Sequence, residues 1–161
     1  MPEQAKTLDP ATRAAVAGGF TDAPFVNDVE IAMLDCGVGW CETSLTLAPR
    51  HLQHTGIVHA GAQATMADHT AGAAAITMVP IGHHVLTAEF KLNLLRPARG
   101  ASLWCRAEVL KPGKTIMVVE FEVYSVHGDQ RVLVSKLTAT LAVIAPKLTR
   151  KRKPIHTNIS R

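Results

Sequence analysis

Residues 60–78, AGAQATMADHTAGAAAITM, constrain this chain more than any other segment. The composition favours helix, and apolar side chains fall on nearly every face of it, so the helix must be buried rather than lie on a surface. Many of those side chains are only Ala or Gly, which lets a sheet approach closely and wrap around it. A chain of 161 residues, 47% apolar and 19% charged, is one domain's worth and enough for such a core.

The segments around this helix read as strands. Residues 27–35 and 38–48 precede it, the second with Cys41, Thr43, Leu45 and Leu47 on one face and Glu42, Ser44 and Thr46 on the other. Strands follow at 84–95, 101–110, 115–126 and 131–144, joined mostly by tight turns such as Lys111-Pro112-Gly113-Lys114 and His127-Gly128-Asp129. Short connections imply antiparallel pairing, so the fold class is α+β. At the N-terminus Asp9 suits an N-cap and Pro10 the first helical position, and Gly18-Gly19 are expected to stop that short helix.

Composition excludes several functions. With only seven aromatic residues, a base-stacking platform for single-stranded nucleic acid is not expected. The apolar run around 60–82 is interrupted by Asp68 and His69, so no membrane span is read, and MPEQAKTLDP has no signal-peptide pattern. Cys36, Cys41 and Cys105 are an odd number without metal spacing, which suits reduced thiols in a cytoplasm. The net charge of +4 comes from the last fifteen residues, which carry six Lys/Arg and no acid; without them eleven bases face thirteen acids. The chain therefore divides into an arm (1–24), a domain (25–146) and a basic tail (147–161) that is read as solvated.

Asp68 is the residue physics would not place idly, because an unpaired carboxylate buried in the most apolar helix costs several kcal/mol. Structural alternatives are a cap, a pair with His69 or an exposed helix edge. His59 precedes the helix, roughly 12 Å from Asp68 along it, so a site using both takes one of them from a second subunit. The backbone N–H groups of Ala60 and Gly61 at the helix N-terminus suit a developing oxyanion. His51, His54 and His59 lack any recurring ligand spacing, so no metal is assigned. G-x-S-x-G and the phosphate-binding glycine motifs are missing.

The run from Gln53 through Gly56, His59, Ala60 and Gly61 to Asp68 resembles the N-x-x-G-x-x-H-G-G-x(6)-D signature of hotdog-fold thioesterases of the phenylacetate-degradation (PaaI-like) type. Leu86–Phe90, Leu94-Leu95-Arg96-Pro97-Ala98 and Lys111–Lys114 are similar to later family segments, and the order of elements agrees over residues 25–145. The resemblance implies a hotdog fold, an antiparallel sheet wrapped around one long central helix. It implies acyl-coenzyme A hydrolysis in a homodimer, or a dimer of dimers, with sites across the interface and no cofactor beyond the coenzyme A of the substrate. On that pattern Asp68 activates water or attacks the thioester, the Ala60 N–H holds the thioester oxygen, Thr87 helps place the water, and His59 orients the thioester or the loop. Gln53 stands where the signature has Asn, and Ala60 where it has the first Gly. Gly61, Arg96, Lys111, Gly113 and Lys114 are the candidate coenzyme A contacts. A non-catalytic acyl-CoA or lipid binder and a hydratase or dehydratase share the fold and stay open at this point, as does the acyl group.

Overall fold

The computed structural model describes residues 7–146, so the basic tail at 147–161 lies outside the described residues. Two short helices, α1 (Pro10–Thr21) and α2 (Pro24–Val29), lead into strands β1 (Ile31–Gly37) and β2 (Trp40–Thr46). A single 3-10 turn at Pro49–His51 and a loop then carry the chain into α3 (Ala60–Ile76). Strands β3 (His84–Leu94), β4 (Ser102–Lys111), β5 (Ile116–His127) and β6 (Gln130–Ile144) complete the chain. They form one six-stranded antiparallel sheet in the order β1-β2-β4-β5-β6-β3, with α3 packed on its inner face. This is the hotdog arrangement that the motif implies.

The period-2 patterns choose the faces as expected. Cys41, Thr43 and Leu45 of β2 and Leu103, Cys105 and Ala107 of β4 are wholly buried. Opposite them α3 buries Met66, Ala67, Ala71 and Ala74, four side chains of which three are a single methyl. Helix and sheet can therefore approach closely, and Met117, Phe121, Leu137 and Leu141 fill what the alanines leave. A polar link inside this core is satisfied internally: the Thr43 and Thr70 hydroxyls lie 2.7 Å apart, and Thr70 also donates to the Met66 carbonyl.

Two local expectations are corrected. Helix α1 begins as read, with the Asp9 carboxylate accepting the Ala11 and Thr12 amides, but it runs through Gly18-Gly19 to Thr21. The Asp22 N–H closes the last turn on the Gly18 carbonyl at 2.9 Å, and the Thr21 hydroxyl donates to the same oxygen, so the stop lies three residues later. Residues 27–30 are not strand. Pro24 opens α2, and Glu30 ends it in the left-handed region (φ 65°), turning the chain into β1.

Strand β3 forms one edge of the sheet. It pairs with β6 on one side only, and Leu86, Phe90, Leu94 and Leu95 on or just beyond it are exposed. An edge with free ladder groups and large apolar side chains is a surface that favours pairing with another strand.

The three thiols lie in the core rather than at a reactive surface. Burial pushes the Cys41 and Cys105 thiols up to about 12, and thiolate is the reactive species. Native protein is therefore expected to be inert to a thiol-specific disulfide reagent over minutes at pH 8, with all three cysteines titrating once it is unfolded in urea. Rapid labelling of the native state would contradict this packing.

Candidate active site

The signature residues fall into two groups that one chain keeps apart. The first group surrounds the start of α3. His59 is the N-cap, and its Nδ1 accepts the Gly61 N–H at 2.8 Å. A Cβ on Gly61 would sit 2.9 Å from that Nδ1, so the cap requires glycine here. The Gly61 amide is thus committed to His59, whereas the Ala60 N–H meets no acceptor among the described residues. Ala60 lines a cleft of about 230 Å³ together with Gln53, Gln63, Leu94, Leu95 and Arg96. In the preceding loop the Gln53 carbonyl accepts the Gly56 N–H and its side-chain amide donates to the Thr55 hydroxyl.

The second group lies in the third turn of α3. Asp68 is half buried, where α3 passes under the edge strand, and its Oδ1 accepts the Thr87 hydroxyl at 2.7 Å. The register of β3 shifts between Thr87 and Glu89, leaving Ala88 unpaired. Such bulges re-aim side chains at sheet edges and beside active sites. Thr87 thereby fixes one carboxylate oxygen and leaves the other open. Of the alternatives for Asp68, a helix edge comes nearest, since the carboxylate is partly exposed; it is the edge-strand hydroxyl, and not His69, that bonds it.

The candidate coenzyme A contacts are likewise divided. The Arg96 guanidinium lies beside the first cleft and donates to the Leu133 carbonyl. Gly113 and Lys114 line a separate cleft at the far end of α3 with Met78, Pro80 and His83, and Lys111 closes β4 nearby. Gly113 is dictated by its hairpin, because a Cβ would lie 2.0 Å from the Ile116 carbonyl oxygen. Among the described residues no three His, Cys, Asp or Glu side chains gather as metal ligands do, and no helix is long and apolar enough to cross a membrane.

One residue of the first cleft escapes a reading of the signature. Gln63 is 3% exposed; its Nε2 reaches the Val58 carbonyl at 3.5 Å and its Oε1 has no partner among the described residues. The available signal was a lone long amide one turn inside a helix of Ala and Gly. His69, the neighbour of Asp68, packs edge-on against Phe20 with ring centroids 4.5 Å apart, and burial lowers its basicity. A histidine held below its ordinary 6.5 favours the neutral fold, so its contribution is complete above that pH and is lost as pH falls below it toward the folded-state value. Urea midpoints are therefore expected to drop between pH 7.5 and pH 5 by more in the wild type than in His69→Phe; equal drops would exclude this burial.

Comparisons with known proteins agree with this fold. Residues 55–132 match the family model of the thioesterase superfamily. A thioesterase family protein of Silicibacter pomeroyi is 30% identical, with 83% of this chain and 98% of that one aligned at a TM-score of 0.81. A thioesterase of Haemophilus influenzae (22% identity, 89% and 94% covered, TM-score 0.74) has the same fold. So does the PaaI protein of the phenylacetic acid degradation operon of E. coli (17%, 87% and 98%, TM-score 0.78). With its fold and a relative at 30% identity aligned over 83% of its length, the chain belongs to the thioesterase superfamily.

Proposed function

We propose that this protein hydrolyses acyl-coenzyme A thioesters in a homodimer, with Asp68 as general base. The observation that carries the reading is the Thr87 hydroxyl held at 2.7 Å on one oxygen of Asp68, at the open edge of the sheet. The other oxygen is free to take a proton from water. That water attacks the thioester carbonyl, and the new C–O bond forms as charge moves to the carbonyl oxygen. The Ala60 N–H, aided by the positive end of α3, stabilises that charge. The C–S bond then breaks, and the proton held by Asp68 passes to the coenzyme A thiolate, restoring the carboxylate.

A dimer supplies both halves of this site. Asp68 and Ala60 lie eight residues apart on one rigid helix, about 12 Å along its axis, too far to serve one carbonyl. Two β3 edges paired antiparallel form an isologous interface that covers Leu86, Phe90 and Leu94. Such pairing runs the Thr87 end of one strand beside the Leu94 end of the other, and Leu94 and Leu95 border the cleft at Ala60. Asp68 of one copy then meets the helix start of its partner. Arg96 beside that cleft is the candidate for a coenzyme A phosphate, with Lys111 and Lys114 as further basic contacts. Three free buried thiols suit the reducing cytoplasm where acyl-CoA esters are found.

Asp68→Asn keeps the shape and the Thr87 contact but removes the basicity. It is expected to lower kcat by roughly two to four orders of magnitude with a smaller effect on KM, read by release of free thiol from acyl-CoA. Gln53→Asn, restoring the family's shorter amide, is expected to be mild or activating. Near-wild-type turnover by folded Asp68→Asn would make the carboxylate structural and favour an acyl-CoA binding protein.

A further inference from the structure

A second cleft lies one helical turn beyond Asp68. It measures about 200 Å³ and is walled by Val16 and Phe20 of α1, His69, Gly72 and Ile76 of α3, and His84 and Val85 of β3. Asp68, Gly72 and Ile76 recur every four residues, so they stack on one face of α3. Thr87 and Val85 are two apart on β3 and share one face of that strand. Helix and edge strand therefore meet in rungs. The Asp68–Thr87 rung is closed by a 2.7 Å hydrogen bond. The next rung, Gly72–Val85, has no side chain on its helical half: even an added Cβ would only come within 3.9 Å of Val85 Cγ2. The gap in the seam is what opens the cleft.

A second glycine enlarges the same space from the opposite wall. Gly19 lies inside α1, where glycine costs about 1 kcal/mol relative to alanine, and a Cβ there would meet nothing within 4 Å. Packing does not require it. It does line the cleft, with His69 and Gly72. Two helices thus leave bare backbone around one largely apolar space that begins one helical turn from Asp68.

We propose that this cleft between α1, α3 and β3 is the acyl subsite, and that it selects a compact acyl group. The proposal rests on the hydrolase reading for what enters. A thioester whose carbonyl lies at Asp68 has its sulfur directed to the coenzyme A side and its acyl carbons directed away, and the Gly72 gap is the opening on the Asp68 face of α3. The size sets the class: apolar cavities of about 150 Å³ hold a benzene ring, so about 200 Å³ takes one ring or a chain of about six carbons, not a long fatty chain. Val16, Phe20, Ile76 and Val85 make most of the wall apolar.

The test compares acetyl-, hexanoyl- and palmitoyl-CoA by free-thiol release, in the wild type and in Gly72→Leu, which fills the gap with a good helix former. Wild-type kcat/KM is expected to peak at hexanoyl, with palmitoyl at least tenfold lower. The hexanoyl-to-acetyl ratio is expected to fall at least tenfold in Gly72→Leu. Ala15→Leu, on the α1 wall, reads the same ratio if Gly72→Leu fails to fold. An unchanged ratio in the folded variant, or a preference for palmitoyl, overturns the proposal. If the wild type cleaves no thioester, the hydrolase reading falls separately. Calorimetry then decides the subsite: hexanoyl-CoA binding at least tenfold tighter than free coenzyme A in the wild type, and not in Gly72→Leu, supports it, and equal binding in both proteins refutes it.

Discussion

The close packing of α3 against the sheet is the constraint on which everything else depends. Met66, Ala67, Ala71 and Ala74 are fully buried, so the helix has no broad polar face for a charge. A carboxylate on such a helix is tolerated only where the sheet runs out and a hydroxyl meets it. Asp68 under the edge strand, held by Thr87, is that place. The same packing fixes where the helix begins, and so where its unsatisfied amides lie. The proposed base and oxyanion donor are thus positioned by one rigid element, at a separation that one chain cannot close.

The strands and the central helix were legible because their signals are local. Alternation along β2, β4 and β5 needs no knowledge of the partner strands, and an Ala-rich run of seventeen helical residues speaks for itself. Helix α2 was not legible, since six residues are too few to show a period and its end depends on Glu30 adopting a positive φ. Gly18-Gly19 misled for a related reason. Glycine next to glycine reads as a stop, yet the turn is completed by bonds to the Gly18 carbonyl from Thr21 and Asp22.

The site was legible in part. The spacing from Gln53 to Asp68 singled out the residues of the two groups, but not the use each makes of its polar atoms. That the Gly61 amide is taken by His59, leaving Ala60 as the free donor, depends on the cap rotamer. That Thr87 reaches Asp68 depends on strand placement and a bulge nineteen residues away in sequence. Gln63 carries no pattern beyond its own type. Long-range geometry of this kind is set by tertiary packing, which periodicity does not encode.

The central claim is that each catalytic site takes its carboxylate from one chain and its oxyanion donor from the partner. Two inactive variants test it directly. Asp68→Asn removes the base, and Ala60→Pro removes the donor N–H at the first helical position, where proline is favoured and the preceding His59 is already extended. The two are unfolded together, refolded at equal concentration and assayed for thiol release. A shared site predicts recovery to about a quarter of wild-type turnover, because half of random dimers are mixed and each carries one intact site. A site contained within one chain predicts no recovery, since every chain then carries a defect; that result would contradict the account.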